Sequence, residues 1–242
     1  TAFSLLLHVL TFNLRDRVTR LFASILICVV IVFTGEAISS ASRDTMQIEF
    51  WLHFEWVGII LLPGAYLNFS DALLAITGKP SRWRRIWAVR AAYLLSILFL
   101  ISVVGGLFIG ELVLDKQPAP HLRPNLVTTV FTAFYVACMA MSWFNFARAF
   151  QRTTTPTSRR RMGYPIFGAL GPGIGSFPFL LYSSDFAGQS PLIFWIVAVF
   201  SNLLLGGLVV VMSYAVAFFG VPWPDRVVKK RMLKWILRGP VT

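Results

Sequence analysis

The chain has 242 residues, a mean hydropathy of +0.71, 57% hydrophobic and only 13% charged residues. Soluble domains carry about 25% charged residues, so this composition excludes an ordinary soluble domain and points to an all-α polytopic transmembrane helix bundle. The net charge of +12 falls in short blocks between apolar runs; that pattern excludes nucleic acid as a partner and fits topology signals and contacts with lipid headgroups. The runs are continuous and long, unlike the alternating ten-residue segments of a transmembrane β-barrel.

Residues 1–10, TAFSLLLHVL, are apolar but too short to span. They read as the inner end of a helix whose beginning lies outside the sequence, and a basic link, NLRDRVTR (13–20), follows. Six apolar runs are predicted, at 21–40, 49–77, 86–110, 126–149, 163–183 and 190–220. With the first stub this makes six complete spans and the end of a seventh. The bundle is expected over 1–220 and a basic juxtamembrane connector over 221–242.

The connections alternate in charge. Nineteen basic residues fall on one side, three in the link 11–20, five around 79–90, five in 148–161 and six in the tail. Only Arg43, Lys116 and Arg123 fall on the other. In short loops such a split places the basic side in the cytoplasm. The C-terminus is therefore expected in the cytoplasm and the native N-terminus outside. Acidic residues Glu36, Asp44, Glu49, Glu55, Glu111, Asp115 and Asp185 gather toward the outer side, while Asp16, Asp71 and Asp225 lie at or near the inner one. The outer loops are short, and three prolines in 111–125 favour an extended crossing.

Cys28 and Cys138 each lie within an apolar run and read as small core hydrophobes. The second run places His53, Glu55 and Trp56 in its outer third, above Pro63, where a kink is expected. A polar mouth above a kink can bind a ligand; alternatively Glu55 pairs with a neighbour or reaches the headgroups, and the tryptophans belong to an aromatic belt. In the third run Gly106 and Gly110 have the spacing of close helix packing.

The fifth run, GYPIFGALGPGIGSFPFLLYS, is rich in Gly and Pro, and a straight helix through GPGIG is not expected. Gly171 and Pro172 would then line a cavity, unless Gly171 and Gly175 serve helix packing. The tail predicts a short helix with Val228, Met232, Trp235 and Ile236 on one stripe. Arg226, Lys229, Lys230, Arg231 and Lys234 are its candidate contacts with the anionic inner leaflet.

His8, His53 and His121 are scattered, which is weak support for a haem or pigment, so no cofactor and no metal is expected. No catalytic motif is present and no enzymatic activity is expected.

The segment FWLHFEWVGIILLPGAYLNFSDALL (50–74) resembles the signature segment of the seven-transmembrane N-terminal sensor region of bacterial histidine kinases and related signalling proteins. Trp51, Trp56, Gly58, Ile59, Pro63, Tyr66 and Phe69 match its aromatic start, small turn, mid-span proline and aromatic exit. The basic exit GVPWPDRVVKKRMLKWILRGPV (220–241) is similar to its membrane-proximal end. Within residues 1–242 there is no phosphoacceptor histidine region and no ATP-binding glycine box. The resemblance thus implies a sensing or anchoring module for a small or lipidic ligand in the bacterial inner membrane, without kinase activity of its own. Its partners would be a cytoplasmic signalling domain and the lipid bilayer, with a homodimer as one assembly option. A structural accessory subunit of a respiratory or photosynthetic complex, meeting partner membrane subunits, is the alternative. A transporter ranks third, since no second half carries a matching broken segment.

Overall fold

A computed structural model describes residues 17–77, 83–113, 121–153, 156–168 and 191–217. The described residues form six helices: α1 (Arg17–Ala41), α2 (Thr45–Ile76), α3 (Trp83–Val104), α4 (Leu126–Gln151), α5 (Pro156–Gly168) and α6 (Pro191–Ala217). Between α3 and α4 lies an antiparallel pair, β1 (Ile109–Val113) and β2 (His121–Pro124). Five helices are long and apolar enough to cross a membrane: α1 to α4, and α6 over Trp195–Met212. Most of the fifth run, including GPGIG, and the whole tail lie outside the described residues, as does the stub.

Helix boundaries follow local chemistry. Asp44, an outer acidic residue by sequence, caps α2: its backbone is extended and its carboxylate accepts from the Met46 amide. Asn125 starts α4 through a reciprocal capping box with Thr128. Pro156 opens α5, where a missing N–H costs no helical hydrogen bond. The predicted basic link 148–161 is correspondingly shorter, since Arg148 belongs to α4 and Arg159 to α5.

The third run ends before the predicted 110. The amides of Gly106 and Leu107 bond back to the carbonyls of Val103 and Ser102, closing a Schellman cap on Gly106, whose φ is +67°. Gly106 therefore terminates α3 and packs against no neighbouring helix, and Gly110 sits in β1 beside Arg123. Helix packing is not the role of this pair, because the chain has already left the helix. The expected extended crossing is a short hairpin, with Leu112 opposite Leu122 and Val113 opposite His121.

α2 is the hub. Of its most apolar stretch, 78% is buried, against 17% for α3. It packs against α1 on one side and α3 and α4 on others, while α5 and α6 pack together. Gly58 admits α1: a Cβ there would lie 2.6 Å from the carbonyl oxygen of Cys28. Both cysteines are buried and free, as small core residues should be.

Pro63 lies within an uninterrupted α2. Pro63 leaves the Ile59 carbonyl without its helical N–H partner. At the next carbonyl, the Ser96 hydroxyl on α3 donates to Ile60 at 2.9 Å, a buried bond that ties α3 to α2 in the turn before the proline. Gly64 next to it lets the Tyr93 ring of α3 come close.

Candidate functional site

Two ends of α2 carry buried carboxylates, and their surroundings differ. Asp71, near the C-terminal end, is 2% exposed. Arg85 of α3 lies 3.3 Å from one carboxylate oxygen and Arg17 of α1 lies 3.8 Å from the other. Three helices are joined through one acid. Beside it, Asn145 of α4 donates to the Ser70 hydroxyl at 3.0 Å, and that hydroxyl donates to the Leu67 carbonyl. The fourth helix is thus tied to the same end of α2 by a buried polar contact.

Glu55, roughly 24 Å away at 1.5 Å per residue, is 6% exposed. It lies against Gly35 of α1, where a Cβ would come within 3.0 Å of its own Cβ. Trp51, one turn earlier, brings its carbonyl oxygen to the same glycine, at 3.1 Å. The residue after that glycine is Glu36, a second acid of the outer half by sequence. Among the described residues, no lysine or arginine pairs with Glu55. This end of the α1–α2 seam therefore buries an acid with no basic partner among the described residues, whereas the other end pairs its acid with two arginines.

Trp56 turns the other way. Its ring meets Phe108 and Phe131 edge-on, with centroids 5.3 and 6.0 Å apart. Phe99 closes the cluster against both phenylalanines. The Thr128 hydroxyl holds the backbone of Phe108 by donating to its carbonyl at 2.7 Å. This aromatic knot joins α2, α3, α4 and the approach to β1.

His53 occupies a third direction. Its Nδ1 donates to the Glu49 carbonyl, 2.8 Å away on the same helix. The three candidate residues of α2 share one end of the helix but face separate surroundings: Glu55 the α1 seam, Trp56 the aromatic knot, His53 its own backbone. Gly171 and Pro172 lie outside the described residues, as do Arg226, Lys229, Lys230, Arg231 and Lys234. Among the described residues, no group of three or more His, Cys, Asp or Glu is placed to hold a metal ion.

Sequence reasoning passed over Asp71 and its arginines. The signal was present: an Asp one and a half turns from the inner end of an apolar run, on the side where the basic links 11–20 and 79–90 lie. The Ser70–Asn145 contact had no such signal, because small uncharged polar groups in two spans carry no mark of which one faces which.

Neither protein-family models nor curated proteins match the chain.

Proposed function

We propose that the chain is a membrane-embedded sensing or anchoring module of a bacterial signal-transduction protein. It has seven spans in the inner membrane, six of them complete in this sequence, with the basic ends in the cytoplasm. A small or lipidic ligand is met in the outer half, at the α1–α2 seam. The observation that carries this reading is Glu55: a carboxyl group 6% exposed, packed against Gly35 of α1, with no lysine or arginine paired to it among the described residues. An ionisable group buried without a partner is costly to charge, and ionisable groups inside membrane spans mark functional sites by default. The opposite end of α2, clamped by Arg17 and Arg85, supplies a fixed point against which the Glu55 end can move. The basic connector, Arg226 to Lys234, would pass that movement to a cytoplasmic output.

A second reading, an accessory subunit of a larger membrane complex, draws on α3. Only Ala92, Ser96 and Val103 of that helix are buried, which leaves a broad apolar face for partner helices or lipid.

One experiment separates the two. The protein is purified from native membranes into nanodiscs, and intact mass, co-purifying subunits and absorption are read on one sample. A single colourless chain much heavier than 27.2 kDa supports the sensor. A chain near that mass, held with stoichiometric subunits or pigment, overturns it. In the intact protein, Glu55→Gln and His53→Ala should each shift the signalling output; output unchanged in both would sink the site assignment.

A further inference from the structure

At the start of α3 two tryptophans stand on the outside of the bundle. Trp83 and Trp87 are 73% and 46% exposed, with ring centroids 5.5 Å apart. The Arg90 guanidinium lies over the Trp87 ring, 5.5 Å from its centroid. Arg84, also exposed, flanks the pair on the other side. Arg85, between them, is the one committed to Asp71. Among the described residues, neither Arg84 nor Arg90 pairs with a carboxylate.

Beyond Arg90 the same face continues as Leu94 and Leu98, each 60% exposed. The helix therefore presents a strip that is aromatic and cationic at one end and aliphatic below. Helical side chains lean toward the N-terminus, which carries the Arg90 head group back across Trp87 toward the membrane interface. Indole rings belong to that same interfacial layer. A guanidinium over an indole ring can still present N–H groups outward, and their fork matches two oxygens of a phosphate.

We propose that Trp83, Arg84, Trp87 and Arg90 form a binding site for the phosphate of an anionic phospholipid, with an acyl chain along Leu94 and Leu98. The continuity of charge with aliphatic surface selects a lipid over free phosphate, which would make no use of the strip. This goes beyond the sensor reading and rests only on the helix being membrane-embedded.

The test uses the full chain in nanodiscs holding equal phosphatidylglycerol and phosphatidylcholine. Native mass spectrometry reads the lipids that stay bound. The wild type should retain phosphatidylglycerol over phosphatidylcholine by roughly tenfold, given two interfacial arginines. The double variant R84Q/R90Q should lower the ratio severalfold, to what the basic tail alone retains. Arg148→Gln, on α4 with its guanidinium over Phe144, should leave it unchanged. Equal retention in the wild type overturns the proposal, and so does an undiminished ratio in the double variant. Loss of the bound lipid on adding inorganic phosphate would assign a free-anion site and overturn the lipid. The wild-type preference is read without any variant, so that arm stands even if the double variant does not fold.

Discussion

A single missing methyl group sets how closely α1 and α2 approach. A Cβ at Gly58 would meet the Cys28 carbonyl oxygen at 2.6 Å and a Val32 methyl at 2.8 Å, and the backbone oxygen cannot turn away. Gly58→Ala should cost about 1–3 kcal/mol, the range for overpacking a filled interior, and lower the melting temperature in detergent. Gly206 of α6 has nothing within 4 Å of its Cβ position. Gly206→Ala should therefore be neutral or gain up to about 1 kcal/mol from helix propensity. Equal effects of the two would show that the α1–α2 approach is not tight. Composition alone could not sort these glycines. Gly106 has the spacing of a packing residue, yet its positive φ makes it a helix terminator. The distinction depends on where α3 stops, a local hydrogen-bond event that hydropathy does not register.

Between elements, polar contacts decide the arrangement, because apolar faces in a membrane gain little from meeting each other rather than lipid. Asp71 is the main example. With its side chain 3% exposed and that of Arg85 19% exposed, Asp71→Asn leaves a guanidinium with a much weaker partner. Removing one member of a buried pair costs about 3–5 kcal/mol, and the melting temperature of Asp71→Asn should fall well below that of the wild type. Arg17 is 55% exposed at its side chain, so Arg17→Gln should cost no more than about 1 kcal/mol. If Arg17→Gln proved as damaging as Asp71→Asn, the clamp would depend on the outer arginine, against the burial seen here. The existence of the long helices was legible from apolar runs. The hairpin at Ile109–Val113 and His121–Pro124 was not: its strands are short, and the prolines read as extended chain whether or not a partner strand lies alongside. Of the candidate site, the position of Glu55 and Trp56 at one end of α2 was legible. Their divergence toward Gly35 and toward Phe108 was not, since it depends on which helices flank α2.

For the whole molecule, the arginine clamp and the aromatic knot lie at opposite ends of α2. The same polarity runs through the connections, where basic residues alternate with their near absence. If the basic end faces the cytoplasm, two exposed glutamines report opposite sides. Gln47 lies in the first turn of α2 and Gln151 at the last residue of α4. The native thiols are buried and can be replaced by alanine without opening a large cavity. On that background, Gln47→Cys should react with a membrane-impermeant maleimide on intact bacterial spheroplasts. Gln151→Cys should react only after lysis. Reversed labelling would turn the bundle over and move Glu55 to the cytoplasmic half, removing it as a receptor for anything external. Labelling of both on intact cells would mean that α2 to α4 do not separate the two sites across a bilayer. In that case the arginine clamp would have to be explained as a packing device alone, with no bearing on membrane orientation.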